Sequence, residues 1–183
     1  CREEERRQAL AADGVAALRF DRAHPLADAA PALKGASHIL LSVPPDAEGD
    51  PVLDLHGPDI AALRDLRWLG YLSTTGVYGD RGGDWVDEAS ELAPSTERGA
   101  RRVAAETGWL DLHRRHGLPV HLFRLAGIYG PGRNQLQSVR EGTARRIVKP
   151  GQVFSRIHVD DIATVLEASM ARPNPGAVYN VCD

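Results

Sequence analysis

Apolar runs of strand length recur along this chain with helix-length segments between them, and each run closes on proline, hydroxyl or glycine residues. Ala36 to Val43 is a nearly continuous apolar run halted by Pro44-Pro45, and Trp68 to Ser73 is a second, ending in Thr74-Thr75-Gly76. Val120 to Leu125 is a third, and Ala177 to Val181 a fourth. A shorter β-type run, Val15 to Phe20, ends at Asp21. Between them lie helical patterns over Glu3 to Ala12, Pro58 to Leu66, Ser95 to His116, Leu136 to Arg146 and Ile162 to Ala171. Strands buried on both faces read as continuous rather than alternating apolar runs. The alternation therefore predicts an α/β fold, a Rossmann-like doubly wound parallel sheet with helices on both faces.

In such a sheet, ligands bind outside the carboxyl ends of the strands. This singles out Pro44-Pro45, Ser73 to Tyr78 and Ala126 to Pro131. Gly76 to Pro94 reads as one long loop with an acidic stretch, and ordered loops of that length are uncommon unless they serve a function. The 183 residues suffice for one domain with a small appended lobe. The division expected is a dinucleotide-binding core over 1–128 and part of a substrate lobe over 129–183, interleaved with the last core elements.

Composition narrows the partners. A net charge of -3 and a sequence pI near 6.2 lack the basic excess that phosphate-backbone binding requires, so nucleic acid is not expected. No apolar run approaches the ~20 residues that span a bilayer. Cys1 and Cys182 stand at opposite ends with no metal-ligand or redox spacing, which suits a reducing cytoplasm. His113 and His116 share a helix face without a third ligand nearby, so no metal is expected.

Four segments carry a resemblance. They are Ser73-Thr74-Thr75-Gly76-Val77-Tyr78-Gly79, then Pro94 before a helix bearing Ala105-Glu106, then Phe123 to Gly132, then Arg156 to Ala163. Together, in this order and spacing, they resemble the NAD(P)-dependent epimerase/dehydratase family of extended short-chain dehydrogenases, from about Val15 to Asp183. The resemblance implies a cofactor, NADP or NAD, a sugar-like or carbonyl small-molecule substrate, and room for a homodimer.

By that likeness Thr74 and Tyr78 fall on catalytic positions, Thr74 holding the reacting oxygen. Arg2, Asp21, Val43, Pro44, Pro45, Ser73, Arg102, Ala126 and Ile128 fall along the cofactor, with Ala126 facing the nicotinamide. Thr75, Tyr129 and Arg133 fall on the substrate side. The preference for NADP rests on Arg2, whose guanidinium would follow the second strand and pair with a 2′-phosphate. Ser73 to Thr75 have a plainer reading as strand-end caps, as do His158 and Asp160-Asp161 at the start of a helix. Asp87 and Glu88 read either as acid/base groups or as solvated loop carboxylates, and Arg124, Arg133 and Arg156 could each grip an anionic substrate.

The departures from the family pattern are equally specific. Its Tyr and Lys, four residues apart, align with Arg98 and Arg102. Arginine does not cycle its proton near neutrality, so Arg98 cannot be a general base. The lysines are Lys34 and Lys149, preceded at four residues by Ala30 and Arg145, so no Tyr-x-x-x-Lys exists. The glycine-rich phosphate turn is absent, and a β-α-β opening of ~30 residues is expected ahead of Cys1. Thr75-Gly76 stands where dehydratases carry acids, and Gly127 where sugar-nucleotide enzymes carry Asn. Two readings follow: a redox or epimerase-type enzyme without the usual pair, or a non-catalytic NADP(H)-binding sensor.

Overall fold

The computed structural model describes residues 4–146, 148 and 150–183. Helix α1 (Glu4–Ala12) lies on the surface and buries none of its residues; α2 (Ala29–Leu33) is a single short turn. The sheet begins with β1 (His38–Leu41) and continues through α3 (Pro51–Ala61), β2 (Trp68–Thr74) and a 3-10 turn over Thr75–Tyr78. Next come α4 (Glu97–His116), β3 (Val120–Leu125), β4 (Gly127–Tyr129) and α5 (Gln135–Arg140). The chain closes with β5 (Arg156–His158), α6 (Val159–Ala171) and β6 (Val178–Val181).

Strands β1, β2, β3 and β6 form one parallel sheet in that order, and β4 pairs with β5 in a two-stranded parallel ribbon. Side chains alternate across the sheet. On one face Leu69, Tyr71, Val120 and Leu122 pack under α3 and α4 with Ile60, Ala105 and Trp109. On the other, Trp68, Phe123 and Leu125 pack with Ile162 and Leu166 of α6. Helices therefore cover both faces, as the alternation predicts. Trp68 and Trp109 are buried, and each indole N–H finds an acceptor: Ser169 Oγ at 3.0 Å and Asp50 Oδ2 at 3.0 Å. Burial of each such apolar side chain contributes roughly 1.5–3 kcal/mol.

The structure corrects several expected boundaries. Val15 to Phe20 forms no strand, and Val15 and Leu18 are 49% and 54% exposed. Helix α3 starts seven residues earlier than Pro58, because Asp50 caps it by accepting from Val52 N and Leu53 N while Pro51 takes the first turn. Helix α5 stops at Arg140, ahead of Gly142 at φ +66°. His158, not Asp160, caps α6, its Nδ1 accepting from Asp160 N at 3.3 Å. Strands β4 and β5, three residues each, are too short to leave a pattern in sequence. Among the described residues no helix is long and apolar enough to cross a membrane, and no cluster of three or more His, Cys, Asp or Glu could hold a metal.

Candidate active site

Parallel register lines up the strand tips. Leu41 pairs with Tyr71 and Tyr71 with Leu122, while Thr74 pairs with Leu125. Thr74 therefore closes β2 opposite Leu125, Ala126 follows that residue directly and Val43 stands two residues beyond Leu41, so all three lie at the carboxyl ends of neighbouring strands, which are spaced by ~4.8 Å. Beside the first of them a groove of about 340 Å³ is walled by Phe20, Asp21 and Arg22 on one side. Ser42, Val43, Pro44, Asp46 and Pro51 wall the other. Asp21, Val43 and Pro44 are thus brought together, whereas Pro45, Thr74 and Ala126 lie outside that wall. A second hollow, about 450 Å³ between Gly35, Ser37, Arg64, Asp65 and Arg67, sits at the opposite ends of the strands. The hydroxyl-rich tips do not reach it.

The groove wall has its own bracing. Arg22 donates to Asp46 from Nε at 2.9 Å and from Nη2 at 3.0 Å, and to Asp54 Oδ2 at 2.8 Å. His56, buried on α3, accepts from Leu26 N at 3.2 Å and pins the same segment. Asp21 takes the His24 imidazole at 2.8 Å, and this bond lowers its carboxyl below the ordinary range.

Under the second and third tips lies a buried polar network. The Ser73 hydroxyl donates to the Glu106 carboxylate, and Arg124 Nη2 reaches Glu106 Oε2 at 2.8 Å, both side chains almost wholly buried. Arg124 Nη1 also donates to the Tyr78 hydroxyl at 2.7 Å, and that hydroxyl donates to Asn180 Oδ1 at 2.7 Å. Burial alone would lower the Arg124 guanidinium; Glu106 and Tyr78 hold it above its ordinary value. The long loop is tied to the same strand ends, because Glu88 Oε1 accepts from Asn180 N at 2.7 Å.

The geometry gives several of the candidate residues specific partners. Tyr78, placed on a catalytic position by the resemblance, is 2% exposed with its oxygen held between the Arg124 guanidinium and the Asn180 amide. Arg102, expected to hold a ribose, is 8% exposed and turns back to donate to the Leu72 carbonyl, its guanidinium 5.7 Å from the Tyr71 ring centre. Arg124, one of three candidates for anion binding, is consumed by Glu106, and Arg156 lies over the Phe154 ring at 5.4 Å. Asp87 organises its own turn with Ser90, whose hydroxyl lowers its carboxyl, and Glu88 anchors the loop, so neither stands as a free acid or base.

The remaining candidates differ in exposure. Thr74 is half-buried at the end of β2, its Oγ1 accepting from Gly76 N at 3.1 Å, and Thr75 opens the next turn. Ala126 is buried, its N–H bonded to Val181 O at 3.0 Å, and Ile128 packs on the adjoining cluster. Tyr129 donates to Asp183 Oδ2 at 2.6 Å, a bond that raises its phenol, and Arg133 is exposed. Arg2 lies outside the described residues.

The Glu106–Arg124 pair had one visible signal in sequence, an arginine inside the apolar run Val120 to Leu125. A charge there requires a buried partner. The Arg22 clasp had none, since its partners come from 24 and 32 residues away.

Comparison with known proteins is consistent with this arrangement. Residues 59–182 match the model of the NAD dependent epimerase/dehydratase family. Protein YeeZ of Escherichia coli (strain K12) is 33% identical over 126 residues, covering 68% of this chain and 43% of that protein. A conserved protein of unknown function from Silicibacter pomeroyi DSS superposes with a TM-score of 0.88 at 53% identity, over 100% of this chain and 62% of that one. UDP-glucuronic acid 4-epimerase from Bacillus cereus, solved in complex with NAD, shares the fold with a TM-score of 0.74 at 18% identity, over 96% of this chain and 64% of that one. The chain thus spans less than half the length of the curated relative it matches.

Proposed function

Because this chain belongs to the NAD dependent epimerase/dehydratase family, we propose that it carries the carboxyl-edge part of an NAD(P)-dependent oxidoreductase or epimerase-like site for a sugar-like or carbonyl substrate. One observation carries the reading: the carboxyl ends of three neighbouring parallel strands lie at one edge, with a groove of about 340 Å³ beside the first and a fully paired polar network beneath the other two. Preorganisation of that kind is what a site needs to hold a reacting geometry.

The groove fits part of a dinucleotide. Phe20, Val43 and Pro44 offer apolar walls while Asp21 and Ser42 offer polar ones, in a volume at the low end of those that hold small molecules. The cofactor, when bound, supplies hydride acceptance and return. This chain's own residues orient and shield. Thr74 presents a hydroxyl at the centre of that edge, Thr75, Tyr129 and Arg133 extend the substrate side, and Ala126 with Ile128 forms the apolar end. Tyr78, Glu106, Arg124 and Asn180 hold the adjoining Ser73 and the loop at Glu88 in place. Residues from 129 onward would complete the substrate lobe.

A second reading has its own observation. Arg98 is exposed at the position of the family's Tyr, and Arg102 turns away to a backbone carbonyl, so a dinucleotide-binding protein without turnover is also supported. Titration of the protein with NADH and NADPH, followed by cofactor absorbance against nucleotide sugars and simple carbonyl compounds, separates the two. Turnover that falls at least ~10-fold in Thr74→Val, with binding unchanged, is the enzyme's signature. Tight binding without turnover on any substrate leaves the sensor, and absence of binding removes both.

A further inference from the structure

The segment 20–28 is fastened to α3 at two points of different chemistry. The first is ionic. Arg22 donates to Asp54 on α3 and to Asp46, and it holds the Asp46 carboxyl down at about 2, so this clasp stays charged through mild acidification. The second is a backbone contact, in which the Leu26 N–H donates to His56 Nε2 at 3.2 Å. An N–H can donate only to a ring nitrogen without a proton, so the imidazole here is neutral and carries its proton on Nδ1, where Asp59 Oδ2 receives it at 3.0 Å. The His56 side chain is 6% exposed, and Phe20, on the groove wall, packs beside it with ring centroids 5.7 Å apart. The charges on the elements around this ring have partners of their own. On the segment, Asp21 takes His24, Arg22 is clasped, and Asp28 caps α2 by accepting from Ala30 N at 3.2 Å. Helix α2 carries no titratable side chain, and α4 meets this turn of α3 with Leu112, 3.6 Å from where a Cβ at Gly57 would stand. Asp111, next to Leu112, is paired with Arg114.

We propose that His56 is a pH-operated latch on this segment: when the ring takes a second proton from solvent, Nε2 becomes a donor, the Leu26 amide loses its acceptor, and residues 23–28 come away from α3 while Arg22 holds. Nδ1 donates to Asp59 in both states, so Leu26 is the contact that must break. Two donors facing each other repel, and a half-buried amide without an acceptor is costly, so the segment moves until each donor reaches water. Phe20 then loses part of the surface it leans on, and the groove wall loosens. An imidazole changes charge between about pH 8 and 5, so mild acidification is enough to work the latch. The device does not depend on which ligand the groove takes.

Nuclear magnetic resonance of the protein across about pH 7.5 to 5 tests it. At the upper end the imidazole nitrogen shifts are expected to place the proton on Nδ1. As pH falls, the Leu26 amide proton should move upfield and its protection, corrected for intrinsic exchange, should drop at least about fivefold, with the midpoint of the His56 ring itself. Amides of β2 and β3 should keep their protection. His56→Gln offers Leu26 an acceptor that does not titrate and should abolish the drop. Asp59→Asn removes the charge that favours the cation and should move the midpoint to lower pH while keeping the step. His24→Gln should leave the step in place, because protonation of His24 only tightens its bond to Asp21, whose carboxyl that bond already lowers. A ring that titrates while the Leu26 amide keeps its shift and protection overturns the proposal. So does a ring that stays neutral to the lower end, a proton found on Nε2 at the upper end, or a drop that persists in His56→Gln. If that variant fails to fold, the wild-type titration and Asp59→Asn decide.

Discussion

Glu106 and Arg124 are the two residues on which the local structure leans hardest, because each is a charge with almost no contact with water. Truncating one leaves the other buried and unpaired. Glu106→Gln is expected to cost about 3–5 kcal/mol of unfolding free energy, and the double variant Glu106→Gln with Arg124→Met to recover much of that loss. Urea denaturation of the two variants gives the comparison; equal losses in both would show that the pair matters for something other than mutual neutralisation. His121 gives a second residue-scale expectation. It is fully buried in β3 against the Trp68 indole, ring centroids 5.7 Å apart, and its Nε2 accepts from Asn174 N at 3.0 Å. Burial lowers its pKa below the ordinary 6.5, with the Leu69 and Pro119 backbone opposing. The unfolded chain then binds the proton first as pH falls, so stability is greatest above 6.5 and declines below it, by at most ~1.4 kcal/mol per pH unit. His121→Gln, measured at pH 7.5 and 5.5, is expected to flatten that decline.

At the scale of elements, the long connection between β2 and α4 is held by particular close approaches rather than by regular structure. Arg81 donates to the Tyr78 and Glu91 carbonyls, Glu88 reaches Asn180, and Gly79 lets the chain turn at φ +75° directly under Ala93. A Cβ at Gly79 would stand 2.0 Å from the Ala93 carbonyl oxygen. Gly79→Ala is therefore expected to displace the loop, costing about 1–3 kcal/mol and exposing residues 80–93 to faster amide exchange. Unchanged exchange there would mean that the turn is not what anchors the loop. Elements with a strong period and good neighbours were legible in sequence: β2, α4, β3 and β6 lie within about two residues of where their patterns put them. Val15 to Phe20 carried a similar pattern and formed no strand, since β propensity depends on context more than on the residues themselves. Ribbon β4–β5 shows the converse, six residues of weak pattern made into strands by meeting each other across 29 positions.

For the molecule as a whole, the parallel sheet is what turns scattered residues into one edge. Its parallel pairing brings Val43, Thr74 and Ala126 to the same edge although 31 and 52 residues separate them along the chain. The amino-acid sequence by itself determined the α/β class, the succession of core strands, the family, and the absence of the Tyr-x-x-x-Lys pair, all of which depend on local period or residue identity. Only the tertiary structure decided which polar groups remain free. It spent Tyr78 and Arg124 inside a buried network, turned Arg102 back on β2, and clasped Arg22 between Asp46 and Asp54. A side chain's chemistry depends on the partners that share its low-dielectric surroundings, and those partners come from distant parts of the chain that no local pattern brings together.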